Sequence, residues 1–151
     1  MKSGRYSYQF DGFSIQPSRR DPWHLVGIGM IDLIGNPKQG EALNGLHRAS
    51  IHRHNSSSYS FVHSLFEVDG VYEFDPLDGF WKATLTFKQK ERSDGRELQT
   101  LDGKFAIMDA GETDTYWIIS AGAEITAGAV TGLTSEVVKG TMVRIGPAST
   151  A

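Results

Sequence analysis

The sequence predicts an all-β fold, an eight-stranded antiparallel up-and-down β-barrel. Three observations carry that expectation. Glycine-bearing breaks recur about every fifteen residues, at Gly12, Gly35-Asn36-Pro37, Asn55 to Ser58, Asp75 to Gly79, Ser93-Asp94-Gly95, Ala110-Gly111-Glu112 and Ala121 to Ser135. Eight strand-like runs lie between the breaks. No run carries a sustained helical period. Eight antiparallel strands can close into a barrel just wide enough for one small ligand.

The runs follow in order. Arg5 to Ile15 alternates Tyr6, Tyr8 and Phe10 with Ser7 and Gln9, the period of a half-buried strand. Gln16 to Pro22 is a polar link. Trp23 to Ile34 is dense in Val, Ile, Leu and Gly. Gln39 to Arg53 reads as an irregular strand, with Gly45 in its middle arguing against a helix. Tyr59 to Phe74 changes apolar parity: Tyr59, Phe61 and Leu65 are odd, whereas Phe66, Val68, Tyr72 and Phe74 are even. A strand switches faces only with an extra residue, so a bulge is expected near Ser64 to Phe66. Phe80 to Lys90 sets Trp81, Ala83, Leu85 and Phe87 on one face and Lys82, Thr84, Thr86 and Lys88 on the other. Arg96 to Asp109 carries an expected bulge at Asp102-Gly103. Thr115 to Ala121 and Glu136 to Ile145 complete the set. The Gly/Ala/Thr-rich stretch from Ala121 to Ser135 reads as a flexible connection, or as a lid over the barrel mouth. The tail, residues 146–151, is expected to be loose.

The 151 residues form one expected domain, 1–151, large enough to bury a core. A net charge of −3 with interleaved signs offers no basic stripe for nucleic acid. No stretch has the length and apolarity of a membrane helix, so no membrane insertion is expected. No signal peptide is read at the N-terminus, and a cytoplasmic location is the default expectation. The absence of cysteine excludes disulfides, thiolate catalysis and zinc-thiolate sites.

The segment Gly27 to Gly40, GIGMIDLIGNPKQG, is followed by Gly70-Val71-Tyr72-Glu73-Phe74-Asp75 and, near the end, by Val138-Lys139-Gly140-Thr141-Met142-Val143-Arg144. This arrangement resembles a group of uncharacterised bacterial proteins. The resemblance implies a small barrel of calycin type, similar to lipocalins and to the allene oxide cyclase barrel. Its motifs are glycines and turns, so it speaks to architecture rather than activity. Trp23 and Arg144 resemble the lipocalin pairing of an early Trp with a late Arg, in which the guanidinium stacks on the indole and closes one end. The spacing to Gly27 differs from that motif, and the pair reads as a structural plug.

Four histidines, His47, His52, His54 and His63, fall close together. With Glu67 they could ligate a metal, but the spacing is wrong for a cupin-type site, and His52-Arg53-His54-Asn55-Ser56 reads as the polar lip of a hairpin. No metal and no cofactor are expected. Glu67, Asp69 and Glu73 alternate along one strand and read as outer-face residues rather than a catalytic pair. Gly27-Ile28-Gly29 lacks the third glycine and the helix of a phosphate loop, and marks close approach of a neighbouring element. Nor is there a G-x-S-x-G nucleophile elbow. The strongest ligand signal is aromatic: Phe61, Phe66, Tyr72, Phe74, Trp81, Leu85, Phe87, Phe105 and Trp117 could line the interior, though the same residues could fill a solid core.

The leading expectation is therefore binding of a small hydrophobic molecule inside the barrel. A second is a cyclase or isomerase that orients a flexible hydrophobic substrate, with Tyr72, His63 and Arg48 as polar assistants. A third is a structural or oligomer-forming module with a filled core. A barrel container should open at the end that gathers the connections after runs one, three, five and seven.

Overall fold

A computed structural model describes residues 1–17, 20–35, 38–55 and 58–149. Residues 36–37 and 56–57 in two of the expected turns, 18–19 in the polar link and 150–151 of the tail lie outside the described residues, as do the side chains of 53–59. The chain forms eight strands: β1 (Gly4–Ile15), β2 (Trp23–Gly35), β3 (Gln39–Asn55), β4 (Ser58–Asp75), β5 (Phe80–Arg92), β6 (Thr100–Asp109), β7 (Thr115–Ala127) and β8 (Gly132–Gly146). Each pairs antiparallel with the next, and β8 returns to β1, so the sheet closes with no edge. No helix of the described residues is long and apolar enough to cross a membrane.

Alternation along each strand builds the core. Tyr6 and Tyr8 point inward from β1, Ile31 and Leu33 from β2, Phe66, Val68 and Tyr72 from β4, and Ala83 and Phe87 from β5. On β5, Lys82, Thr84 and Lys88 point outward, as its uninterrupted alternation requires. Glu67, Asp69 and Glu73 are exposed on the outer face of β4.

The expected change of face in β4 does not occur. Val62, Ser64, Phe66, Val68 and Tyr72 are all buried, so one parity holds from Val62 to Tyr72, and Phe61 points outward. The pairing of β4 with β5 does shift at Leu65/Phe66, but there Leu65 faces Glu91 and Phe66 faces Gln89, so the extra residue, Lys90, belongs to β5. The switches of face sit in β3 and β7. Both neighbours of β3 register one extra residue, between Leu43 and Leu46 against β2 and between Ala42 and Gly45 against β4, and Asn44, common to both intervals, takes a left-handed φ of 55°. Ala42 faces in before this bulge, and Gly45, His47 and Ala49 face in after it. In β7 the ladder to β8 breaks between Ile119 and Ala123, and the buried parity changes from Tyr116 and Ile118 to Ile125. The bulge expected at Asp102-Gly103 is instead a pair of register shifts on either side, at Thr100/Leu101 and Lys104/Phe105.

Three boundaries also differ from expectation. Ala121 to Ser135 is not an irregular connection: β7 runs on to Ala127 and β8 starts at Gly132, leaving a four-residue turn. The segment before Thr100 is not strand but a connection held by β5, where Gln89 N donates to Gln99 O (2.9 Å) and Gln99 N donates to Gln89 Oε1 (2.9 Å). Finally, the tail is tied at one point, by a hydrogen bond from Ser149 N to Asp32 Oδ2 (3.3 Å). Asp32 also pairs with Arg5, whose Nε lies 3.0 Å from Oδ1.

Candidate functional site

The interior is crossed by a plate of aromatic rings. Its origin is a row of the sheet in which Tyr8 on β1 faces Gly29 on β2, and Gly29 faces His47 on β3. Gly29 has no side chain, so Tyr8 and His47 close over it. A Cβ at Gly29 would collide with the Tyr8 hydroxyl, and one at Gly27 would stand 2.6 Å from His47 Cε1 and 2.7 Å from Phe10 Cζ. The close approach expected at Gly27-Ile28-Gly29 is thus made by three rings. His47 stacks on Phe10 at 5.0 Å and on Tyr8 at 5.7 Å, both nearly parallel. Phe87 meets His47 edge-on at 5.4 Å and also contacts Phe66 and Phe105.

His47 is 3 % exposed. A hydrogen bond of 3.2 Å joins its Nδ1 to Tyr8 Oη. Burial draws the imidazole down to about 4, so it is neutral at pH 7, and burial raises the Tyr8 phenol well above its ordinary value. The expectation that the histidines belong to a solvated lip therefore fails for His47. His63 is exposed on β4, and His52 stacks on Phe61 at 4.5 Å. The His54 side chain lies outside the described part. Among the described residues no group of three His, Asp or Glu side chains is placed to hold a metal ion.

The plate divides the lumen into two spaces. One, of about 40 Å³, lies toward Met1, Leu33, Tyr72 and Ile107. Aromatic packing crowds that end: Tyr6 sits 6.0 Å from Tyr116, and Trp81 lies 5.7 Å from Tyr72 and 5.3 Å from Phe74. The Tyr72 hydroxyl is buried and has no hydrogen-bond partner among the described residues. The other space, of about 90 Å³, lies below His47 and Phe66, with walls that include Trp23, Ile51 and Ile125 and a polar mouth of Ser14, Gln16, Gln99, Thr134 and Glu136. This larger chamber is at the end that gathers the β1–β2, β3–β4, β5–β6 and β7–β8 connections.

Glu136 is the chemically distinctive group of that chamber. It shares the inward parity of Val138 and Met142 on β8. The broken β7–β8 ladder is mended beside it by Ser120, whose Oγ accepts from Val138 N (3.0 Å) and donates to Glu136 O (3.4 Å). Burial raises the Glu136 carboxyl above its ordinary range. Among the described residues no Lys or Arg lines the chamber; the side chain of Arg53, which pairs with Trp23 along the β2–β3 ladder, lies outside them. Gln89 and Ser64, hydrogen-bonded at 2.8 Å, form a buried polar pair on the neighbouring strands.

The residues expected in the interior divide by position. Phe66, Tyr72, Trp81, Leu85, Phe87 and Phe105 lie inside. Phe61 and Trp117 lie outside, 59 % and 52 % exposed, and Phe74 sits half-exposed at the rim. Their parity decides this: Phe61 alternates with buried Val62 and Trp117 with buried Tyr116 and Ile118. Of the polar assistants, Tyr72 is inside, whereas Arg48 and His63 border a shallow depression on the outer wall, so the three do not converge. Trp23 and Arg144 do not form a plug either. Trp23 pairs with Ser14 and Arg144 with Tyr6, which puts them at opposite ends of β1. The sequence reasoning missed Tyr8, Phe10, Trp23, His47 and Glu136 as interior residues. The signal for Glu136 was present in its even parity with Val138 and Met142. For His47 it was masked by the bulge at Asn44.

No family model, no curated protein and no solved structure matches the chain.

Proposed function

We propose that the barrel binds a small, largely apolar molecule bearing one hydrogen-bond-donating or cationic head, held in the chamber beneath the aromatic plate. The observation that carries this reading is Glu136: an inward carboxyl at the mouth of an apolar chamber whose lining, among the described residues, holds no basic side chain. A carboxylate removed from water is stabilised by a donor or a cation. Neutral His47 and the indole of Trp23 offer flat surfaces for an unsaturated body. A cavity of about 150 Å³ accepts benzene, so the 90 Å³ chamber takes about one ring or less, and the rest of a larger ligand would sit in the mouth.

A cyclase or isomerase working on a long flexible substrate finds less support. Drug-sized ligands occupy roughly 300–1,000 Å³, and the two interior spaces hold about 40 and 90 Å³.

The test is a fragment screen by thermal shift, comparing aromatic amines with neutral and carboxylate-bearing fragments of the same size. Amines should raise the melting temperature most, and Glu136→Gln should remove that preference while leaving the unliganded protein folded. Absence of binding, or an amine preference untouched in Glu136→Gln, would overturn the assignment.

A further inference from the structure

The outer wall carries a feature that the interior reading does not use. Val26, Ile28 and Met30 project from β2, with Leu46 beside them on β3; Trp117 and Ile119 project from β7, with Met108 beside them on β6. These seven side chains are 41–58 % exposed. The two ridges are separated by β8 and β1, whose outward residues level with Val26, Ile28, Trp117 and Ile119 are polar, Thr141 opposite Gln9 and Lys139 opposite Asp11, with exposed Phe13 and Val137 beyond them. Between the ridges runs a groove of about 780 Å³.

We infer that this face is a homo-oligomer interface, in which a second copy of the chain presents the same face through a two-fold contact, the β2–β3 ridge of each copy against the β6–β7 ridge of the other. Area supports the occupant. Seven large apolar side chains at about half exposure leave on the order of 500 Å² of apolar surface, toward the upper end of the roughly 300–600 Å² of an ordinary monomer's largest patch. With the polar floor included, the face approaches the roughly 800 Å² that each partner gives a stable interface. Charge supports it too. The floor holds one carboxylate beside one ammonium, so it is neutral and self-complementary: a two-fold axis passing between β1 and β8 sets Asp11 of each copy against Lys139 of the other. The opposite wall is mixed: the outer faces of β4 and β5 carry Glu67, Asp69, Glu73, Lys82 and Lys88 beside Phe61 and Val71, whereas a lipid-facing barrel wears an unbroken apolar band all round.

The measurement is sedimentation velocity on the purified full chain across a concentration series, with circular dichroism to confirm folding of each variant. The wild type should form a dimer or a closed higher oligomer, and Trp117→Glu and Ile28→Glu should be folded monomers. If either fails to fold, the charge set decides alone. Asp11→Lys and Lys139→Asp should each weaken association by about tenfold or more, and the double exchange should restore it. A wild type that stays monomeric overturns the inference. So does an oligomer indifferent to these variants, a double exchange that fails to restore association, or partition into phospholipid vesicles in place of self-association. None of these outcomes bears on Glu136, which lies inside the barrel.

Discussion

A single imidazole organises the lumen. His47 is the one ionisable group in the aromatic plate apart from Tyr8, and its neutral form is the one the fold accepts. An unfolded imidazole titrates near 6.5, above the folded value of about 4. As pH falls, the unfolded chain takes the proton first. The His47 contribution is therefore complete above about pH 6.5 and is lost between about 6.5 and 4, roughly 3 kcal/mol in all. Glu136 opposes it, because its raised folded pKa costs stability as pH climbs above the ordinary carboxyl range. Urea titrations from pH 7 to 4.5 in a Glu136→Gln background should show the loss, and adding His47→Phe should flatten it. Phe87, 4 % exposed and touching His47, Phe66 and Phe105, should cost about 3–5 kcal/mol on truncation to alanine. A denaturant midpoint barely changed would remove it from the core. Tyr72→Phe should run the other way, neutral or stabilising by up to about 1 kcal/mol, because it deletes a buried hydroxyl that has no partner among the described residues. At this scale the sequence was partly legible. Six of the nine side chains assigned to the interior lie there, because period-two alternation needs only the local chain. Phe61 and Trp117 were misplaced because an aromatic on the wrong parity looks the same as one on the right parity until the register is known.

Among the elements, β2 shows how a strand can serve the core by what it lacks. Gly27 and Gly29 occupy inward positions and give their space to rings from β1 and β3. Gly29→Ala would force Tyr8 away from His47 and should cost about 1–3 kcal/mol, with loss of the Tyr8–His47 hydrogen bond. Thermal melts would register the cost, and the His47 imidazole shift in NMR would report the bond. The eight strands were legible from their turn residues, and their ends were not. Ala121 to Ser135 has the composition of a loop, yet most of it is paired, because a closing sheet supplies partners that override weak local preference. The bulge in β3 was hidden for a related reason. Asn44 tolerates a left-handed backbone, but only the two flanking strands reveal that it is the extra residue.

For the whole molecule, closure is the decisive event. β1 and β8 are joined only at the end of the chain's path, and their pairing is non-local by nearly the full length. Such topologies fold in about milliseconds to seconds rather than microseconds; stopped-flow fluorescence of the three tryptophans should find that range. The barrel itself was legible from counting eight antiparallel runs, whereas the aromatic plate that divides the lumen was not, since aromatics that line a cavity and aromatics that plug one have the same pattern. Closure also brings Arg5 opposite Gly146, so the first strand begins where the last one ends, on the rim away from the Glu136 chamber. An anchor attached to either terminus would therefore hold the barrel with its chamber mouth turned outward. Immobilised on a sensor chip by a tag at either end, the protein should give the same small-molecule response.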